Sequence, residues 1–172
     1  MWQFFEADWT PAATLVSFGH DVETAFLMIE AIEALGRPDD PETWDVCKAL
    51  TDHSLRFGWD ERYGGFYHEG ATYAAPVDRQ KIWWVQAEGL NTLLYMYQRY
   101  GETDQLYGQK FIAQWNFIAR SMIDSQYGGW FNSVSESGAH PPGPRPPKSQ
   151  LWKTAYHEIR ALLNVAEGLK KN

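Results

Sequence analysis

An eight-residue segment of this 172-residue chain recurs in similar form, and this repeat restricts the fold more than any other feature of the sequence. Residues 60–67 read Asp-Glu-Arg-Tyr-Gly-Gly-Phe-Tyr, and residues 124–131 read Asp-Ser-Gln-Tyr-Gly-Gly-Trp-Phe, at an offset of 64. Beyond the second copy the offset becomes 69, which aligns Trp83 with Trp152. A repeat of this length indicates a supersecondary unit that stacks on copies of itself.

Five segments carry apolar residues at helical spacing and alternate with the repeated loops. We predict them at about 17–35, 41–58, 80–100, 104–123 and 149–169. Helices one, three and five occupy equivalent repeat positions, with helices two and four between them. The sequence therefore predicts an all-α fold, part of an α/α toroid with alternating inner and outer helices. Five helices cannot close a ring, so the array is open, belongs to a longer chain, or pairs with another chain.

Two long connections, 58–79 and 124–148, separate the helical pairs. The residues after each Gly-Gly pair, Phe66-Tyr67 and Trp130-Phe131, are predicted to form short strands in loop hairpins. The proline-rich residues 141–147 are expected to be extended. Connections of this length inside a compact domain usually carry function, and here they are expected to rim a pocket.

Composition excludes several classes of protein. The formal charge of −7 is spread along the chain, which argues against a nucleic-acid or anionic-membrane partner. No stretch is apolar for long enough to span a bilayer. Cys47 is the only cysteine and is predicted to fill the core, so we expect a cytoplasmic protein with residues 1–172 forming one domain.

Three titratable residues occupy the same repeat position near the start of each presumed inner helix: His20, Glu88 and His157. If the array forms, symmetry points them at a common axis. Glu23 lies three residues after His20 and shares its helix face, where it can orient the imidazole. A single helical histidine is more often structural, and we read His53, His68 and His140 in that way.

Other chemistries fit this set of residues less well. His20 and Glu23 have a spacing that two metal ligands could use, but no carboxylate-rich cluster or HExxH motif accompanies them. We therefore predict no metal site. Glu23 and Glu88 could also serve as the two carboxylates of a glycosidase, and that alternative stays open. Trp83 and Trp84 point about 100° apart on a helix, so at most one is expected to face a cavity.

Three ordered segments resemble motifs of the N-acylglucosamine 2-epimerase superfamily, most closely those of its cellobiose 2-epimerase branch. They are residues 17–23 (Ser-Phe-Gly-His-Asp-Val-Glu), 81–88 (Lys-Ile-Trp-Trp-Val-Gln-Ala-Glu) and 152–158 (Trp-Lys-Thr-Ala-Tyr-His-Glu). Residues 4–11 also resemble the strand that precedes the first motif. The resemblance covers nearly the whole chain.

This resemblance implies an (α/α)6 barrel with a central sugar pocket, and epimerisation at carbon 2 of a reducing-end aldose. His20 and His157 match the family's acid/base histidines, and Glu23 matches the carboxylate that partners the first. Four positions match its substrate-binding residues: Trp83, Trp84, Glu88 and Trp152. A cellobiose-like β-1,4 disaccharide or a free aldose is the implied substrate, with no cofactor. One imidazole on each face of carbon 2 would remove and return the proton through an enediolate.

The sequence departs from the family in length, because the family's first half is absent. A homodimer or the missing helices are expected to cover the exposed flanks. A non-catalytic sugar-binding fragment is therefore an alternative function. Gln86-Ala87-Glu88 stands where the N-acetylglucosamine enzymes tend to carry His-Asn-Glu, which favours an unmodified glucose-type reducing end over an N-acylglucosamine substrate.

Overall fold

The computed structural model of the chain describes residues 2–140, 143 and 148–170. Its five α-helices are α1 (Phe18–Ala34), α2 (Pro41–Phe57), α3 (Trp83–Tyr100), α4 (Leu106–Phe117) and α5 (Tyr156–Gly168). A π-helical turn, Ile118–Met122, continues α4. The extended conformation predicted for 141–147 falls, apart from Gly143, outside the described residues.

The helices form two layers. α1, α3 and α5 pack side by side in one layer, α2 packs on α1, and α4 packs on α3. This arrangement confirms the predicted alternation of inner and outer helices. The described residues form an open array of helices with small sheets, and a closed (α/α)6 ring stays a prediction.

Two clusters of buried side chains form the core, one on each side of α3. The cluster between α1, α2 and α3 includes Val22, Ile29, Trp44, Leu93 and Met96. The cluster between α3, α4 and α5 includes Leu90, Leu94, Phe117, Ile118 and Val165. Burying side chains of this size contributes about 1.5–3 kcal/mol each. Because α3 is covered on both sides, the side chains of its first turn are held in fixed positions.

The helix starts at α1 and α2 follow from local capping. The Ser17 side chain accepts a hydrogen bond from the backbone N–H of His20, and the Asp40 side chain accepts one from Thr43 before Pro41 opens α2. The predicted start of α5 at Ser149 is wrong. Gln150 and Lys153 exchange backbone hydrogen bonds in a closed turn, so α5 begins only at Tyr156.

Short strands join the ends of the helices that carry the candidate site. β1 (Leu15–Ser17), β2 (Glu69–Ala71) and β3 (Pro76–Asp78) form one antiparallel sheet, and β4 (Lys81–Ile82) pairs with β5 (Ser133–Val134). The first connection thus contains a hairpin, β2–β3, but the prediction that Phe66-Tyr67 and Trp130-Phe131 form its short strands is wrong. The second connection pairs through β5 with β4, the two residues before α3. Phe66 and Trp130 each make only an isolated bridge. Residues 4–11 contain a turn, and the strand before α1 is β1.

The two copies of the repeated segment fold into the same turn. In the first copy, the Asp60 carboxylate accepts hydrogen bonds from the backbone N–H groups of Arg62 and Tyr63, at 2.9 and 3.0 Å. In the second, Asp124 accepts from Gln126 and Tyr127 at 2.9 and 3.1 Å. Both glycines of each pair have φ between 70° and 83°, a conformation that other residues rarely adopt.

Histidines outside the candidate site contact other loops and helices. His53 Nδ1 lies 2.7 Å from Asp21 of α1, and its Nε2 is bound to the carbonyl of Thr72. Asp21 also raises the pKa of His53, although burial opposes this. His68 is bound to Asp78 at 2.9 Å. These contacts agree with the structural roles expected for both residues.

The last helix carries an exposed apolar row. Tyr156, Ile159 and Leu163 are each about half exposed on α5. Their repeat equivalents on α3 are buried beneath neighbouring helices: Ala87, Leu90 and Leu94. The row thus occupies the face of α5 whose equivalent on α3 is covered by neighbouring helices. A second copy of the chain covering this row stays a prediction.

Two expectations from composition can be compared with the described residues. Cys47 is buried among α1, α2 and α3, as predicted, and this burial raises the pKa of its thiol to about 11. Among the described residues, no helix combines the length and apolar character needed to cross a bilayer.

Candidate active site

Two of the three aligned inner-helix positions, His20 and His157, lie against one indole ring. The ring of Trp84, in the first turn of α3, lies 4.8 Å from the His20 ring and 5.8 Å from the His157 ring, centre to centre. Gly19 permits this approach, because a Cβ atom at that position would lie 2.5 Å from the Trp84 ring. The sequence prediction that His20 and His157 share one place in the fold therefore agrees with the geometry.

His157 is held by a network of charged side chains. Its Nδ1 lies 2.6 Å from Glu88 Oε1 and 3.7 Å from Glu23 Oε1. The Arg160 Nη2 group donates to the same two oxygens, at 2.5 Å to Glu88 and 3.1 Å to Glu23. Glu88 is fully buried. Residues from α1, α3 and α5 thus converge on one imidazole.

The contact with Glu88 fixes the orientation of the His157 ring. A carboxylate paired with arginine can only accept hydrogen bonds, so Nδ1 carries the proton in this contact. In the neutral imidazole the lone pair is then on Nε2. Nε2 is the atom available to take a proton from a substrate.

His20 is held in a different way. Its Nδ1 is buried without a hydrogen-bond partner among the described residues. Burial lowers the pKa of His20, and the nearby Glu23 and Asp21 only partly oppose this. The neutral form therefore persists to lower pH than in a free imidazole. A neutral imidazole is the form that acts as a base.

Glu23 contacts a different histidine from the one expected. It was predicted to orient His20 from its own helix face, but its described contacts are to Arg160 and His157 across the array. Its influence on His20 is through charge. Because Glu23 is on α1 and His157 is on α5, this carboxylate connects the two histidine-bearing helices.

The three tryptophans predicted to bind substrate lie in different environments. Trp84 is half-buried and contacts both histidines, whereas Trp83 is buried in the cluster between α3, α4 and α5. Trp152 is 78% exposed and precedes α5, because the helix starts later than predicted. Only Trp84 is placed directly between the candidate catalytic groups.

Gln86 does not lie in the candidate site. Its side-chain amide accepts from the Phe66 backbone N–H at 3.0 Å and donates to the Phe66 carbonyl at 2.7 Å. It is fully buried and also accepts from the side chain of Gln114. Gln86 fastens the first glycine turn to α3, so the inference of sugar preference from this residue lacks a structural basis.

Arg160 is the site residue that the sequence analysis missed. No role was predicted for it from the sequence. The repeat register contained the signal, because the positions three residues after His20, Glu88 and His157 are Glu23, Asn91 and Arg160. A carboxylate and a guanidinium at equivalent positions of the two inner helices that flank α3 can meet in front of it, as Glu23 and Arg160 do.

Metal binding can be tested against the same cluster. Ligand atoms of Glu23, Glu88 and His157 lie within 4.8 Å of one another, close enough for one cation. However, the guanidinium of Arg160 already bonds both carboxylates. A divalent ion would have to displace this arginine against charge repulsion, so the donor set fits an ion-pair network better than a metal centre.

A cleft near the end of α2 does not coincide with the candidate active site. This cleft, of about 630 Å³, lies between the end of α2, the β2–β3 turn and the second connection. Its lining includes Arg56, Tyr67 and Glu136 but neither His20 nor His157. The candidate site is identified by the chemistry of its residues.

The chain is similar in sequence to proteins named as sugar epimerases and isomerases. The chain is 29% identical over 167 residues to a cellobiose 2-epimerase of Bacteroides fragilis, covering 94% of this chain and 40% of that protein. It is 29% identical over 153 residues to a D-mannose isomerase of Marinomonas mediterranea, covering 88% of this chain and 36% of that protein. The chain thus spans about two fifths of the length of these relatives.

About two fifths of a solved structure has the same arrangement of helices. The cellobiose 2-epimerase of Bacillus thermoamylovorans superimposes with a TM-score of 0.82 at 26% identity, covering 97% of this chain and 41% of that one. Residues 1–161 match the sequence profile of the N-acylglucosamine 2-epimerase (GlcNAc 2-epimerase) family. The chain belongs to this family, as its three motifs predicted.

Proposed function

We propose that this chain carries the two proton-transfer groups of a carbohydrate 2-epimerase. It would interconvert gluco and manno configurations at a reducing-end sugar, either a cellobiose-like β-1,4 disaccharide or a free aldose. His20 and His157 would act on opposite faces of carbon 2, and the direction of reaction would decide which removes the proton. The relatives named above are epimerases and isomerases of such sugars, which supports this class of substrate.

The observation that carries this proposal is the contact of both imidazoles with the ring of Trp84. Inversion at carbon 2 requires removal of the proton next to the carbonyl and delivery of a proton from the other face. Two imidazoles provide one group for each face without turning the sugar over. The Trp84 indole between them offers an apolar ring face on which the C–H groups of a sugar can stack.

The two histidines are prepared for this chemistry in complementary ways. Burial keeps His20 neutral to lower pH, which suits a base. The Glu88 carboxylate fixes Nδ1–H of His157 and directs Nε2 away from the network. Arg160 and Glu88 are not needed to contact the sugar in this scheme, since they hold His157.

The proposal is tested by incubating the full chain with glucose, mannose and cellobiose and following the anomeric protons by NMR. We expect the epimeric sugar to appear, and His157→Ala to abolish its formation. His140→Ala is the matched control, because His140 contacts Phe131 and neither candidate catalytic histidine in the described residues. No epimer from any of the three sugars would reject the function for this chain.

Two alternatives give different results in the same assay. A non-catalytic sugar-binding fragment would give a sugar-dependent change in tryptophan fluorescence without turnover. A glycosidase would release a monosaccharide from the disaccharide. The geometry favours it less, because Glu88 is fully buried and both carboxylates are bound to Arg160, which leaves no free acid/base pair.

A further inference from the structure

We propose that Arg160 is a positioning residue that keeps His157 able to release its proton, by offsetting part of the negative charge of the two carboxylates that face this imidazole. The inference rests on the proposed function, because it concerns the readiness of His157 to act as a base. Arg160 is not required to touch the sugar.

The first argument is the shared oxygen. Glu88 Oε1 accepts from Arg160 Nη2 at 2.5 Å and contacts His157 Nδ1 at 2.6 Å, so one atom serves both groups. The same Arg160 nitrogen donates to Glu23 at 3.1 Å. Arginine is suited to this place, because its planar guanidinium can bond two carboxylates at once.

The second argument is that Arg160 is held in position from both sides. Its guanidinium carbon lies 4.9 Å from the ring centre of Phe26 on α1 and 4.3 Å from that of Tyr156 on α5. It also donates to the Tyr156 hydroxyl. An arginine held by two rings is already ordered next to the carboxylates, so no side-chain entropy is lost each time a substrate binds.

The third argument concerns the balance of charge around His157. The charged or titratable groups facing its ring are Glu23 from α1, Glu88 from α3, and Arg160 and Tyr156 from α5. With Arg160 removed, two carboxylates would face the imidazole with no cation to balance them. The proton on His157 would then be held more tightly, because such interactions are strong around a buried group. A base that holds its proton cannot accept another.

The test is an NMR titration of the His157 imidazole resonances in the full chain. We expect Arg160→Gln to move the pH midpoint upward by about one unit or more. Arg160→Lys should restore much of the wild-type midpoint. The double variant Arg160→Gln/Glu23→Gln should also move back toward wild type, since it removes one of the two carboxylates. A midpoint unchanged in a folded Arg160→Gln variant, or not restored in the double variant, would overturn the proposal.

Further variants separate this role from a merely structural one. Glu23→Gln alone should move the midpoint downward, and it remains informative if Arg160→Gln does not fold. A Glu23→Gln midpoint that stays in place would contradict the charge-balance argument. Arg99→Gln is the matched control, because Arg99 pairs with Asp39 at 2.5 Å near the other end of α3 and should leave the midpoint unchanged.

The titration also separates the two proposals. Midpoints that move as expected in a chain that never epimerises a sugar would reject the proposed function and keep the role of Arg160. Epimerisation by a chain whose His157 midpoint does not move in Arg160→Gln would keep the proposed function and reject the role of Arg160. Where turnover is measurable, the acidic limb of the pH profile of kcat should move to higher pH in Arg160→Gln.

Discussion

The two copies of the Asp-x-x-Tyr-Gly-Gly turn have the same backbone but different surroundings. A lysine pairs with the aspartate in each: Lys81 lies 3.1 Å from Asp60, and Lys148 lies 2.6 Å from Asp124. The Lys81 side chain is 0% exposed and its burial lowers its pKa to about 8, whereas the Lys148 side chain is 31% exposed. The repeat therefore determines the turn, and the neighbouring helices determine its burial.

The same contrast extends to the helices that carry the histidines. The Gln86 side chain bonds the first glycine turn to α3. Ala155 occupies the aligned position before α5 and has no side-chain amide that could bond the second turn. α5 lies at the edge of the described array with its apolar row exposed. His20 thus belongs to a region held by packing, whereas His157 is held in place by its charged partners.

The largest difference between the two turns is expected in the stability lost when the lysine of each is removed. Lys81→Met leaves the Asp60 carboxylate buried without its cation, and we expect it to lower the free energy of unfolding by about 3–5 kcal/mol. Lys148→Met removes a partly exposed pair and should cost about 1 kcal/mol or less. Urea denaturation followed by circular dichroism measures both. Equal losses would show that the two turns are not distinguished by burial.

A smaller effect is expected at His53, which ties α1 to α2 through Asp21. At the offset of 64, Phe117 occupies the corresponding position in the second unit, so the effect should be confined to the first. Because Asp21 raises the pKa of His53 in the folded state, this contact stabilises fully below about pH 6.5 and is lost as the pH rises through the folded value.

The pH dependence of this contact is tested by comparing the free energy of unfolding of wild type and His53→Gln between pH 5.5 and 8.5. The variant should be less stable at low pH by about 1 kcal/mol, and the difference should shrink as the pH increases. Phe117→Leu serves as the control, since its cost should not vary with pH over this range. A His53→Gln cost that is constant or grows with pH would contradict the assignment.

The sequence predicted features that depend on local signals. The predicted starts near residues 17 and 41 agree with α1 and α2, because a cap such as Ser17 or Asp40 acts within one turn of its helix. The repeat placed His20 and His157 together because equivalent positions on packed neighbours share one face. Family motifs then connected those positions to sugar epimerisation.

Features that depend on distant contacts were not predictable in the same way. The pairing of β4 with β5 joins the residues just before α3 to the second connection, which is distant in sequence. Gln86 was assigned to sugar selection from its place in the family motif. Its contact with Phe66 forms only when the first connection folds back onto α3, so the sequence could not indicate it. Arg160 was overlooked because its partners, Glu23 and Glu88, are on two other helices.

The most direct measurement of the central claim is solvent deuterium exchange at carbon 2, started separately from the gluco and the manno sugar. With two bases on opposite faces, wild type should place deuterium in the product epimer. His20→Gln and His157→Gln should each lose exchange from a different starting epimer and keep some exchange from the other. Loss of exchange from the same epimer in both variants, or product formed without deuterium, would contradict the assignment of one histidine to each face.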